Sequence, residues 1–222
     1  MDTSRDYVSP PRPGQLFPQV IAITGLAQTG KNATLKALAK LLPSYATADC
    51  SDIARQWAKE KGFPDFEHFV RRVTDEPDFM PDYDRQIDAQ SMERMKHPPL
   101  IIVGRLPHYF ASVAKVEAFK VGLTLLTDRV RGSRAAKKGI SLEKLHQRDV
   151  DDYRRYGDLY AVSIPADVGD APDDVHMEIS TEFYAPDEVA AHIYETARCW
   201  ANGWSFNPHH FGVDPSAEQV AA

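Results

Sequence analysis

Apolar positions fall into two kinds of stretch along the chain. The first is short and continuous: about 19–24, Leu100-Ile101-Ile102-Val103, and about 119–126. Runs of this length without polar alternation predict strands buried on both faces of a parallel sheet. Shorter runs at 45–48 and 175–180 predict two more strands. The second kind repeats at helical spacing. It covers about 33–42, 53–62, 63–72 with Phe66, Phe69 and Val70 on one face, and 82–95 with Ile87, Met92 and Met95 inward. It resumes at about 129–138 and 141–156, and closes at 186–200 with Val189, Ile193, Ala197 and Trp200. Pro43, Gly62, Pro98, Pro99 and Gly139 punctuate these stretches, while Ser141 and Pro186 open helices. Strands alternating with helices predict a doubly wound α/β sheet. The flanks read differently: 1–18 is a proline-rich arm, 163–174 an acidic loop, and 202–222 an irregular tail, leaving 19–201 as one domain.

The first strand runs into Gly25-Leu26-Ala27-Gln28-Thr29-Gly30-Lys31-Asn32, and a helix follows. Strand, glycine-bounded turn and helix form the context of a P-loop, Gly-x-x-x-x-Gly-Lys-[Ser/Thr]. Gly25 and Gly30 let successive N–H groups turn inward toward phosphate oxygens. The helix then aims its positive end at the same anion. Lys31 adds a point charge, and Gly30, Lys31, Asn32 and Ala33 supply the turn that would hold the nucleotide. The last position of the pattern carries Asn32, whose amide oxygen is the candidate ligand for Mg²⁺ where a hydroxyl is usual. Gln28 stands where many kinase loops carry a third glycine.

Composition narrows the partners. The 222 residues carry a net charge of −6, against general binding to a nucleic-acid polymer, and 43% of them are hydrophobic, enough for a sizeable core. Two cysteines, Cys50 and Cys199, give no disulfide framework or metal spacing, so a reducing, cytoplasmic setting is expected. No run is long and apolar enough to suggest a membrane span. A small anionic substrate remains compatible, because it needs only a local group of arginines.

Six patches occur in a definite order: the loop Gly25 to Asn32; Asp52-Ile53-Ala54-Arg55 leading to Gly62; Asp84-Arg85-x-x-Asp88; Gly104-Arg105-Leu106; Arg131-x-x-Arg134; and Arg148-Asp149-x-x-Asp152-x-x-Arg155-Tyr156 with Tyr160. In this order and spacing the chain resembles the cytidylate kinases, most closely their short archaeal-type branch, from about residue 20 to 200. The resemblance implies a P-loop NTPase three-layer fold with a central parallel sheet and a helical lid at about 129–160. It also implies ATP and Mg²⁺ as cofactors and a small nucleotide, CMP or dCMP first, as acceptor. By that resemblance Arg55 and Arg105, with Asp52 nearby, would hold the acceptor monophosphate. Asp84, Arg85 and Asp88 would face the base or sugar-phosphate, and Arg131, Arg148 and Arg155 would close over the donor phosphates.

The residues agree in kind. Phosphoryl transfer asks for positioning and charge neutralisation, and the planar fork of arginine suits phosphate oxygens. Three positions depart from the family pattern: Asn32 replaces the hydroxyl residue, Gln28 a glycine, and Val103 the acidic residue usual before Gly-Arg. These keep open a second class of function, a nucleotide-binding or regulatory protein without turnover, and a third reading, a kinase for another small acceptor.

Overall fold

The computed structural model describes residues 17–76, 79–80, 82–162, 164 and 169–203. Its sheet has five parallel strands: β1 (Val20–Thr24), β2 (Ala46–Asp49), β3 (Leu100–Gly104), β4 (Phe119–Thr124) and β5 (Met177–Ser180). They lie in the order β2-β3-β1-β4-β5, so β1 is central. Every residue of β1 and β3 is buried, as their unbroken apolar runs require.

Among the described residues, eight helices cover the sheet: α1 (Lys31–Leu41), α2 (Cys50–Glu60), α3 (Phe66–Asp75), α4 (Tyr83–Met95), α5 (Pro107–Val113), α6 (Asp128–Ala136), α7 (Leu142–Tyr160) and α8 (Pro186–Ala201). Alternate strand residues feed two cores. Ile21, Ile23, Ile101, Val103, Val121 and Leu123 pack with α1 and α8 on one face. Val20, Ala22, Leu100 and Ile102 pack with α2, α4 and α5 on the other. The result is three layers.

The pattern of elements matches the expectation with three differences. The segment Pro107–Val113 forms α5, which the sequence reading leaves unassigned. Pro107 stands at its first turn, and His108, Phe110 and Ala111 are buried. Its 7 residues are too few for periodicity to register. On α3 the inward face is Phe66, Phe69 and Val73, whereas Val70 is 40% exposed. The i, i+3, i+7 stripe points into the aromatic cluster with Trp57, Phe63 and Tyr83, and Val70 falls outside it. Helix α7 continues to Tyr160, one turn beyond the expected end, and closes on Ala161 in the left-handed conformation.

Phe17 packs its ring against Tyr194 and Tyr45, and the Tyr45 hydroxyl donates to the Pro18 carbonyl at 2.7 Å. The rest of the expected N-terminal arm, and His209 and His210 in the tail, lie outside the described residues.

Candidate phosphate site

The loop between β1 and α1 is shaped by close approach. A Cβ at Gly25 would lie 2.6 Å from the Leu123 carbonyl oxygen, so only glycine lets the chain leave β1 beside β4. Gly30 caps α1 at φ 100°, the left-handed region. Gln28 also adopts a positive φ, 66°. The glycine usual at this place is thus answered by a side-chain-bearing residue in a glycine conformation, at a cost of about 1 kcal/mol. Threonine and arginine hold the loop from outside. The Thr181 hydroxyl donates to the Thr29 carbonyl at 2.7 Å, and Arg134 donates to the Gln28 carbonyl at 3.3 Å, the Thr181 hydroxyl at 2.9 Å and the Thr181 carbonyl at 2.7 Å.

Lys31 turns back over this loop. Its Nζ donates to the carbonyls of Gly25 at 2.6 Å and Leu26 at 2.5 Å. Burial first, then the positive charges of Arg105 and Arg148, bring its pKa down to about 7, against the opposing pull of Asp49. Near pH 7 the amine is then about half protonated, and either form can donate to both carbonyls.

Asn32 and Val103, the two departures on the metal side, are resolved by one neighbour. Asn32 Nδ2 donates to Asp49 Oδ2 at 2.8 Å. Asp49 ends β2 in register with Val103 on β3. A carboxylate therefore stands one strand away from the place where the sequence pattern looks for it. The Asp49 side chain also caps α2 by accepting from Ser51 N at 2.7 Å, so in sequence it reads as an ordinary helix cap.

The arginines converge at the carboxyl ends of the strands, where open α/β sheets bind ligands. Arg105, directly after β3, keeps a side chain only 10% exposed. It pairs with Asp149 at 3.0 Å and Asp152 at 2.5 Å. Its Nη1 and Nη2 are buried and make no hydrogen bond among the described residues, and neither do Asp149 Oδ1 and Asp152 Oδ2, so these two contacts are ion pairs without hydrogen-bond alignment. Arg131 is 2% exposed, donates from Nε to the Ala27 carbonyl of the loop at 3.0 Å, and pairs with Asp149. Arg155 pairs with Asp152 at 2.7 Å and Asp84 at 3.4 Å, and its guanidinium lies over the Tyr156 ring. Arg148 reaches Asp152 only at 3.9 Å and is largely exposed.

A second group lies between α4 and α7. The Tyr160 hydroxyl donates to Asp88 Oδ2 at 2.7 Å. Asp88 is buried, and burial lifts its pKa to about 6, helped by neighbouring Asp84 and opposed by the Tyr160 hydrogen bond. Burial raises Asp84 as well, while Arg155 holds it down.

The structure thus brings together Gly25, Gly30, Lys31, Asn32, Arg105, Arg131 and, at the rim, Arg148; Arg155 joins them to Asp84 and Asp88. It leaves others on the surface. Arg55 pairs with Asp52 on α2, both exposed, and Arg85 and Ala33 are exposed. Asp149, Asp152 and Arg134 stand in the ordered patches of the sequence without an assigned role, and Asp49 reads there as a helix cap. The signal for Asp149 and Asp152 was present, since two acids three apart share a helix face, but it looks the same as a solvated face.

Solved structures share this architecture. Shikimate kinase from Acinetobacter baumannii, in complex with shikimate, is 16% identical with a TM-score of 0.51, over 79% of this chain and 90% of that one. Shikimate kinase from Aquifex aeolicus is 14% identical with a TM-score of 0.51, over 83% and 99%. The Deinococcus radiodurans tunicamycin resistance protein is 14% identical with a TM-score of 0.50, over 86% and 99%. This is a P-loop NTPase fold. At these identities the likeness extends to the fold alone. No protein-family model matches the chain, and no curated protein matches it.

Proposed function

We propose that the chain is an ATP-dependent phosphotransferase acting on a small acceptor, with a nucleoside monophosphate, CMP or dCMP, as the first candidate. The observation that carries the reading is the convergence of Lys31, Arg105 and Arg131 on one glycine-bounded loop, with a buried Arg105 N–H left to be filled. The N–H groups of the loop and the start of α1 cradle the donor phosphates. Lys31 releases the Gly25 and Leu26 carbonyls, takes up a proton and pairs with the β and γ phosphates. Arg105 sits on the acceptor side and offers Nη1 to the acceptor phosphate. Arg131 fixes Ala27 and lies on the donor side. Asp88, protonated in part near pH 6, and Asp84 meet the polar groups of the acceptor. These are positioning and charge-neutralising roles, which phosphoryl transfer chiefly requires.

The donor set also suits Mg²⁺. Asp49 offers a carboxylate and Asn32 an amide oxygen, both hard ligands, and Mg²⁺ commonly keeps one or two protein oxygens with water and phosphate. When bound there, the ion would supply charge neutralisation between phosphate oxygens.

A coupled assay of ADP formation, run over CMP, dCMP, UMP and shikimate with a Lys31→Ala control, tests the reading. ADP production that depends on one of the nucleotides and is lost in the control is expected. Production no greater than the control for every acceptor ends the enzyme reading. Asn32 in place of the hydroxyl residue favours one other reading, nucleotide binding without turnover, for which ATP would bind calorimetrically while ADP never forms.

A further inference from the structure

Helix α7 is held to the body in an unusual way. Over its 19 residues, those buried are Leu145, Asp149 and Asp152. Tyr156 and Tyr160 add partly buried rings at its far end. Its flank is partly open: Val150 is 44% exposed, and Tyr153, 46% exposed, lines a cavity with His108, Tyr109 and Ile164. A helix of this length normally docks through an apolar stripe. Here much of the inward face is carboxylate, and what those carboxylates hold is the phosphate-site arginines. Asp149 bridges Arg105 and Arg131, and Asp152 bridges Arg105 and Arg155. Both carboxylates are largely withdrawn from water, their side chains 11% and 8% exposed, where charge pairs are strong and each partner depends on the other.

We propose that Asp149 and Asp152 act as internal competitors of phosphate. The two carboxylates hold Arg105 and Arg131 until ligand phosphate replaces them, and they thereby set the affinity of the site. The idea rests on the phosphate-binding reading above and not on the identity of the acceptor. Chemically the exchange is simple: a guanidinium fork accepts carboxylate and phosphate oxygens alike. Arg131 remains tied through Nε to Ala27, so its Nη groups can change partner without leaving the loop. Arg105 Nη1 and Nη2 make no hydrogen bond among the described residues and can take a further oxygen. The small apolar footing of α7 means that little hydrophobic burial opposes its displacement.

The opposite reading is that the two acids position the arginines for phosphate. The two differ in sign. Binding of inorganic pyrophosphate, without metal, can be measured by calorimetry for the wild type, Asp149→Asn, Asp152→Asn, Asp149→Glu and Lys31→Ala. Competition predicts affinity raised roughly tenfold in each Asn variant, the order expected for one charge removed at contact range in a partly screened site. It predicts affinity near wild type in the Glu variant. Unchanged or weaker binding in both Asn variants overturns it. Asp149→Asn can also lose stability, so melting with and without pyrophosphate gives a second readout. The ligand-induced rise must be larger in the Asn variants than in the wild type; an equal or smaller rise contradicts the proposal. Lys31→Ala separates the two levels. If it lowers affinity while the Asn variants do not raise it, only the competition fails. If it binds as well as the wild type, the phosphate-site reading itself fails.

Discussion

The two halves of the site are built by opposite means. The loop between β1 and α1 is local: eight consecutive residues, two glycine conformations and a helix start fix where its N–H groups point. The arginine–carboxylate network is assembled from β3, α6 and α7, whose partners Arg105, Arg131 and Asp149 are brought together only by the folded sheet. Loop geometry is set first by backbone conformation, with Lys31, Arg131 and Arg134 holding its carbonyls from the side. The network is a balance of buried charges, in which removing one partner strands another. Substitutions on the two sides should therefore fail differently, the loop through binding and catalysis, the network through stability as well.

The largest effect is expected on the loop. Lys31→Ala should lower turnover by about 10²–10³-fold, the scale for a lost charge stabiliser at a transition state, with the melting temperature little changed or raised, because a buried amine is removed. A large loss of stability would break the contrast. Arg105→Met comes next and should do both kinds of damage. It leaves Asp149 and Asp152 short of a partner, so about 3 kcal/mol of stability should be lost in denaturant unfolding, together with activity.

Asp88 gives a third test. Its pKa is raised above the unfolded value to about 6, so the folded state holds a proton that the unfolded state has lost. The contribution of the group to stability is therefore complete below about pH 4 and is lost as pH rises through 6. Asp88→Asn should remove that dependence and stabilise the protein at pH 8 by about 2 kcal/mol, while weakening acceptor binding. Melting curves from pH 4 to 8 check the sign.

Lys31, with its pKa near 7, should take up a proton when polyphosphate binds. Affinity should stay level below pH 7 and fall by up to about tenfold per pH unit above it; calorimetry in buffers of different ionisation enthalpy detects the proton. The smallest effect is expected for Gln28→Gly, which should relieve the left-handed conformation and stabilise by about 1 kcal/mol.

What could be read from the sequence follows the same division. The loop, the strands β1 and β3, and the alternation of helices are local signals, and each is where its residues place it. Lys31 and Gly30 need nothing beyond their neighbours in the chain. Asp49 does not announce itself, because its cap on Ser51 and its pairing with Asn32 are both satisfied by one carboxylate, and only the first is local. Helix α5 is too short to show a period. The burial of Asp149 and Asp152 depends on Arg105, which lies more than forty residues earlier. A charged face on α7 therefore reads as solvated until the sheet closes. Arg55 shows the reverse: its place in a sequence patch suggests a ligand, and the fold gives it an exposed partner three residues away.

Transfer itself is followed most directly with ATP labelled on its γ phosphate. The protein is incubated with labelled ATP, Mg²⁺ and CMP, and the products are separated. The account predicts label moving from ATP to CMP to give labelled CDP, with about a hundredfold less, or lower still, moved by Lys31→Ala. Label that stays on ATP, or appears only as inorganic phosphate, would contradict it.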